Sequence, residues 1–122
     1  MAGVFHLQYK GSDILFLDVS GLKLKDKQEF RTHVENAEKE IRQHSPKSVL
    51  LLTDVRDTGF DTEVSAIMGE YAMHNTPYVK ASALVGVSGV QKVVLAAIKA
   101  LTGREFYMTD TVEQAREWLV QQ

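Results

Sequence analysis

The chain has 122 residues, of which 44% are apolar and 25% charged, and its 14 basic and 16 acidic side chains give a formal charge of −2. Because it has no cysteine, disulfides, thiol catalysis and cysteine-ligated metal centres are excluded. Its near-neutral charge, without a basic cluster, predicts no nucleic-acid partner and no anionic membrane surface. We expect one ordinary globular domain spanning residues 1–122.

The first residues, MAGVFHLQYK, lack the basic region and the apolar run of a secretory signal. No segment approaches the roughly 20 apolar residues that a membrane span requires. We therefore expect a cytoplasmic protein with no membrane span.

The first third of the chain predicts a hairpin and a helix. Residues 4–9 alternate like a half-buried strand, and residues 14–19 are nearly continuously apolar, as in a strand covered on both faces. From Asp26 the apolar residues recur at helical spacing, and Asp26 with Glu29 predicts a capping box. Ser45 and Pro46 should prevent this helix from continuing.

The middle of the chain predicts a strand, a loop and a helix. Residues 49–52 form an apolar run that is too short for a helix and ends in Thr53 and Asp54, which is typical of a central parallel strand. A loop follows over residues 55–60. A second helix should begin near Asp61 or Thr62, either of which can accept hydrogen bonds from unpaired amides, and should stop before Pro77.

The pattern of the last third of the chain predicts two successive strand–helix units. Residues 81–87 read as a buried strand, and Ser88 with Gln91 predicts a capping box for a third helix that ends at Gly103. We expect this helix to face inward through Val90, Val93, Val94, Ala97, Ile98 and Leu101. Residues 105–108 form a short strand, and Thr111 with Gln114 predicts the start of a terminal helix.

The predicted order is therefore β-β-α-β-α-β-α-β-α. A hairpin followed by three strand–helix units requires a mostly parallel mixed sheet with one antiparallel N-terminal strand, together with four helices. The fold class is α/β.

This order resembles the STAS superfamily, named for sulfate transporters and anti-sigma-factor antagonists. The resemblance rests on the Asp-ended strand of residues 49–54, on Asp57-Thr58-Gly59 before a helix, on Gly103-Arg104, and on the ending Ala115-Arg116-Glu117-Trp118-Leu119. The chain is most similar to the small bacterial SpoIIAA-like proteins, also described as STAS/SEC14-type domains. The resemblance covers essentially the whole chain.

The resemblance implies a non-enzymatic regulatory or protein-interaction module. In better-known relatives, phosphorylation of a Ser or Thr at the start of the helix after the third strand switches partners. Thr58 before Gly59 is the nearest match here, and a helix N-terminus, with about half a positive charge, suits a phosphate. The predicted regulatory loop comprises Asp54, Arg56, Asp57, Thr58, Gly59 and Thr62. Its alternative role is to cap the helix and nothing more.

Two other functions stay open. The SEC14-type resemblance implies a carrier for a small hydrophobic or lipid-like ligand, and the residues that could line such a surface are Phe60, Met68, Tyr71, Met73 and Tyr78. Packing in the core is the alternative role for these residues. A weak nucleotide or anion site at the helix starts after Gly59 and Ser88 is the third candidate.

No pattern predicts catalysis or metal binding. The histidines fall in separate elements, the sequence has no G-x-S-x-G motif, and the spacing of Asp54, Asp57 and Asp61 matches no calcium loop. We expect no enzyme activity, no metal and no cofactor. The expected partner is an unidentified protein, and a homodimer is a candidate assembly because cyclic dimers are the commonest oligomers.

Overall fold

The computed structural model describes residues 2–122, in which five strands form one sheet in the order β1-β2-β3-β4-β5. Strand β1 is antiparallel to β2, and the other neighbours are parallel. The strands are β1 (Gly3–Tyr9), β2 (Ser12–Asp18), β3 (Val49–Asp54), β4 (Val79–Val85) and β5 (Tyr107–Thr109). The helices are α1 (Lys27–Ile41), α2 (Thr62–Asn75), α3 (Gly89–Thr102) and α4 (Val112–Leu119), with a short 3₁₀ turn at Leu24–Asp26. The predicted order of elements and the mixed sheet are confirmed.

The hairpin of β1 and β2 is closed by a two-residue turn. Lys10 and Gly11 have φ angles of 50° and 81°, so both central residues lie in the left-handed region. Turns of this kind match the twist of the flanking strands. The turn sets the register in which Tyr9 pairs with Ser12.

The sheet separates two apolar cores. Leu15 and Leu51 pack towards α1 and α2, whereas the neighbouring residues Ile14 and Leu52 pack towards α4. Side chains alternate across a strand, so strands with a core on each side need apolar residues at consecutive positions. This explains the continuous apolar runs in β2 and β3.

The predicted capping box forms at α3, and half of the predicted box forms at α4, where the Gln114 side chain accepts from the Asp110 N–H and not from that of Thr111. The backbone N–H of Ser88 donates to Oε1 of Gln91 at 2.8 Å, and the Thr111 hydroxyl accepts from the Gln114 N–H at 3.1 Å. The predicted box at the start of α1 is wrong, because the Asp26 side chain makes no capping bond to that helix. Its carboxylate instead accepts from the backbone N–H of Lys23, which closes the preceding 3₁₀ turn.

The predicted inward face of α3 is confirmed at Ile98, and at Val94, which lines a cavity, but it is wrong at Val90, Val93, Ala97 and Leu101. Val90, Val93 and Leu101 are 66%, 71% and 78% exposed, and the buried residues of the helix are Gln91 and Ile98. The reason is that α3 packs against α2 and makes few close approaches to the sheet. The helix is therefore rotated, and one apolar stripe faces outward.

Among residues 2–122, no helix has both the length and the apolar character needed to cross a bilayer.

Candidate functional site

The predicted regulatory loop, residues 55–60, is held against the segment that follows β2. The N–H of Gly21 donates to the carbonyl oxygen of Arg56 at 2.9 Å. The N–H of Gly59 donates to the carbonyl oxygen of Leu22 at 2.7 Å. The Lys23 ammonium adds a hydrogen bond of 2.6 Å to the Asp57 carbonyl oxygen. These contacts make the loop a fixed part of the fold.

Asp54 and Arg56 form the first corner of this loop. The Asp54 side chain is only 1% exposed, and its carboxylate accepts from Nε and Nη2 of Arg56 at 3.1 and 2.6 Å and from the Arg56 backbone N–H at 3.0 Å. Hydrogen bonding to Asp54 raises the pKa of Arg56. A two-pronged guanidinium–carboxylate pair is a strong and directional contact. It holds the chain where it leaves β3.

Thr58, the predicted phosphoacceptor, lies before α2 and not in its first turn. Its hydroxyl is partly buried and donates to the Val19 carbonyl oxygen at 3.0 Å. The N-cap of α2 is Asp61, whose carboxylate accepts from the Val64 N–H at 2.9 Å. Thr62 is exposed as the first residue of the helix.

The N-terminus of α2 already has a carboxylate at its free amides. A hydrogen bond from Lys27, followed by one from the Val64 backbone, lowers the pKa of Asp61. Lys27 also pairs with Glu63, so α1 and the start of α2 are joined by ion pairs. A phosphate on Thr58 would approach a helix end that is already capped by a negative charge.

A cavity lies between the sheet, α2 and α3, and Thr58 of the loop also lines it. The space in it that a water-sized molecule can occupy is about 60 Å³, and most of its wall is apolar. Phe60, Met68 and Tyr71 approach it from the loop and α2, and Val94 and Leu95 approach it from α3. A single water molecule needs about 10–15 Å³ on this measure, so the cavity exceeds the space of one water. Ligand pockets usually span about 300–1,000 Å³, so a small organic molecule would have to widen it.

One end of the cavity is polar. Tyr71 and Asn75 line it one helical turn apart on α2, and they are 3% and 0% exposed. The Tyr71 hydroxyl and the Asn75 amide nitrogen each lack a hydrogen-bond partner. Thr53 and Asn75 lie close enough to the hydroxyl for hydrogen bonding to lower its pKa, but neither contact has full hydrogen-bond geometry.

Arg104, two residues beyond α3, completes this polar end. Its Nη1 donates to the Ala72 carbonyl oxygen at 2.9 Å, its Nη2 donates to the Ser82 hydroxyl, and its guanidinium lies 4.9 Å from the centre of the Phe106 ring. Burial lowers the pKa of Arg104 and raises the pKa of Tyr71. At neutral pH, Tyr71 is therefore a neutral phenol and Arg104 beside it is a guanidinium cation.

The structure brings together part of the predicted apolar set. Phe60, Met68 and Tyr71 line the cavity, whereas Met73 is 54% exposed outside it. Tyr78 packs beside His74, with ring centres 5.9 Å apart. Met73 and Tyr78 therefore do not join the cavity wall.

Sequence reasoning missed the polar residues of the cavity, Asn75, Ser82 and Arg104. A signal for Asn75 existed, because it follows Tyr71 by four residues and so shares a helix face with it. Ser82 interrupts an otherwise apolar strand and is 4% exposed. Arg104 was singled out only within the Gly103-Arg104 motif of the resemblance, and nothing in that motif indicates a cavity, because the residue lies in a connection outside any helix or strand.

No family model and no curated protein matches the chain. A solved structure does match: the crystal structure of an uncharacterised protein of the DUF3478 family, with a SpoIIAA-like fold, from Shewanella loihica PV-4. The TM-score is 0.66 at 18% identity, and the match covers 98% of this chain and 95% of that one. The chain has a SpoIIAA-like fold. At this identity the similarity concerns the fold alone, and it confirms the predicted architecture.

A cluster of titratable residues lies at the opposite end of the SpoIIAA-like sheet from the loop of residues 55–60. His6 contacts Asp13 at 3.1 Å and Glu40 at 2.9 Å, and His44 lies 3.7 Å from the same Glu40. Partial burial lowers the pKa of His6, but hydrogen bonds to Asp13 and Glu40 outweigh it, and the net pKa is raised above 6.5. The imidazolium therefore helps to join α1 to the hairpin.

Proposed function

We propose that the protein binds a small apolar molecule in the cavity between the sheet, α2 and α3, and that it does so without catalysis. The observation that carries this proposal is the cavity itself, about 60 Å³ with a mostly apolar wall. A well-packed interior has few voids larger than a water molecule. A mostly apolar cavity several times larger than one water molecule needs is therefore a candidate binding site, which α3 would move outward to widen.

The placement of α3 supports the same proposal. This helix forms one wall of the cavity, yet only Gln91 and Ile98 of its residues are buried. Segments with few buried contacts open at a lower free energy than the rest of a fold. Movement of α3 away from the sheet is the simplest route by which a ligand could reach the cavity.

A second candidate, a regulatory module that binds another protein, is favoured by the outer face of α3. Val90, Val93 and Leu101 place apolar side chains in water on this helix. Neighbouring exposed apolar residues often mark an interaction surface. Because the opposite face of α3 lines the cavity, a bound molecule could change the position of this surface.

Two substitutions at adjacent positions of α3 test ligand binding. Val94 lines the cavity and Val93 is 71% exposed, so Val94→Trp should fill the cavity and Val93→Trp should not. We expect 1-decanol to shift the amide resonances of cavity residues in an ¹H–¹⁵N spectrum of the unaltered protein and of Val93→Trp. Val94→Trp should weaken this binding at least tenfold. If the unaltered protein shows no shifts at cavity residues, the proposed function is wrong.

Native mass spectrometry of the protein isolated gently from its own cells compares the two candidates. A retained apolar molecule supports ligand binding. Added mass of a phosphate, mapped to Thr58, or of a partner subunit supports the regulatory module.

A further inference from the structure

Arg104 is a largely buried cation without an anionic partner. Among residues 2–122, no carboxylate forms an ion pair with it, and its two hydrogen bonds go to neutral oxygen atoms of Ala72 and Ser82. Removing a charge from water is unfavourable unless a counter-charge or several hydrogen bonds compensate. A guanidinium has five N–H groups, so two bonds within the described residues leave N–H groups of Arg104 that a ligand or water can accept from.

The neighbouring groups add to this excess of donors. The Tyr71 hydroxyl and the Asn75 amide nitrogen are buried, lack partners and belong to residues that line the same cavity as Arg104. All three groups can donate hydrogen bonds. What would satisfy them together is an oxygen-rich group that accepts several hydrogen bonds and carries negative charge.

The rest of the cavity restricts the kind of anion. One guanidinium balances one negative charge, whereas a phosphate monoester brings about −1.5 to −2. A carboxylate carries a single charge and matches the planar guanidinium fork. The remaining wall, which includes Met68, Val94 and Leu95, is apolar and suits a hydrocarbon chain.

We propose that the ligand is a monocarboxylate with an apolar chain, whose carboxylate is bound by Arg104, Tyr71 and Asn75 at the polar end of the cavity. This inference rests on the proposed function, because it names the chemical class of the molecule bound in the same cavity. The chain of the ligand lies between α2 and an outwardly displaced α3, because the cavity of about 60 Å³ must widen to hold it, and the head group lies where α3 leads into β5.

Three ligands of equal chain length test the proposal at neutral pH: decanoate, 1-decanol and decylamine. Binding is measured by ¹H–¹⁵N titration of the unaltered protein. Hydrogen bonds to a charged group predict that decanoate binds roughly 10- to 100-fold more tightly than 1-decanol. Decylamine, which brings a second cation to Arg104, should bind most weakly.

Variants then locate the head group. Arg104→Gln should remove the preference for decanoate over 1-decanol, and Tyr71→Phe should reduce it. Arg42→Gln is the matched control, because it removes the same charge from an exposed position and should leave the preference unchanged. If Arg104→Gln does not fold, the comparison of the three ligands on the unaltered protein decides.

The outcomes separate this inference from the proposed function. If 1-decanol or decylamine binds at the cavity as tightly as decanoate, the monocarboxylate proposal is overturned and apolar binding stands. If decanoate prevails but Arg104→Gln folds and keeps the preference, the assignment to Arg104 is overturned. If none of the three ligands shifts cavity residues, both proposals fail.

Discussion

Replacing Gly59 with alanine tests whether the loop of residues 55–60 is as closely held as its contacts indicate. A Cβ atom at Gly59 would lie 2.6 Å from the backbone nitrogen of Leu24 and 2.9 Å from the carbonyl carbon of Lys23. Both neighbours are backbone atoms, so no side chain can rotate away to relieve the overlap. Ordinary contacts between heavy atoms are about 3.5–4.0 Å. The two segments would have to separate by about 1 Å.

This separation would strain or break nearby hydrogen bonds. The Gly59 N–H donates to the Leu22 carbonyl oxygen at 2.7 Å, and the Thr58 hydroxyl donates to the Val19 carbonyl oxygen at 3.0 Å. Overpacking in a closely packed region costs about 1–3 kcal/mol, and a lost hydrogen bond costs about 1 kcal/mol. We expect Gly59→Ala to lower the free energy of unfolding by about 2–3 kcal/mol.

Gly69→Ala is the matched control. Gly69 lies within α2, and a Cβ atom there would have no neighbour within 4 Å. Alanine in a helix interior is more favourable than glycine by about 0.5–1 kcal/mol. The same chemical change should therefore destabilise the protein at residue 59 and stabilise it at residue 69.

Urea unfolding followed by far-UV circular dichroism measures both changes, with equal slopes required before the midpoints are compared. A neutral surface substitution changes the free energy of unfolding by about 0.5 kcal/mol or less. If Gly59→Ala changes it by no more than that, the loop accommodates the Cβ atom easily and the reasoning from close contact is refuted.

Three further predictions concern the rest of the fold. Because folding raises the pKa of His6 above 6.5, its stabilising contribution is present below that pH and is lost as the pH rises through the folded-state value. His6→Gln should therefore lower stability at pH 6 by less than about 1 kcal/mol, and a similar loss at pH 9 would contradict the pH assignment. Asp54→Ala should lower the free energy of unfolding in urea by about 2 kcal/mol, because it removes the buried carboxylate and its hydrogen bonds to the side chain and backbone N–H of Arg56, which is itself 46% exposed; a loss under about 1 kcal/mol would show the pair to be dispensable. Ile98→Ala should lower the free energy of unfolding by about 2–4 kcal/mol, whereas Val93→Ser should change it by no more than about 0.5 kcal/mol. Equal losses of stability at the two positions would contradict the observed rotation of α3.

Much of the fold could be predicted because the relevant signals are local. The two-residue spacing in β1, the continuous apolar run of β3 and the helical spacing in α1 each depend on neighbouring residues only. The α2 N-cap at Asp61 was one of two predicted starts, and its carboxylate accepts from the Val64 N–H as capping requires. Elements of known order and type then restrict the sheet to few topologies.

The orientation of α3 could not be predicted in the same way. Its apolar residues extend around most of the helix, so the sequence contains two candidate inward faces. Packing against α2 selects the face with Gln91 and Ile98 and leaves Val93 in water. A hydrophobic pattern indicates a helix face reliably only when the opposite face is polar.

The candidate site shows the same division between sequence and tertiary structure. The amino-acid sequence by itself determined an α/β chain with a mixed sheet, because periodicity and capping act within a few residues. Only the tertiary structure placed Arg104 beside Tyr71, a residue 33 positions earlier, through the crossover that passes from α2 along β4 and α3. The physical reason is that a cavity is what packing leaves unfilled, and that space depends on the relative positions of helices and strands distant in sequence.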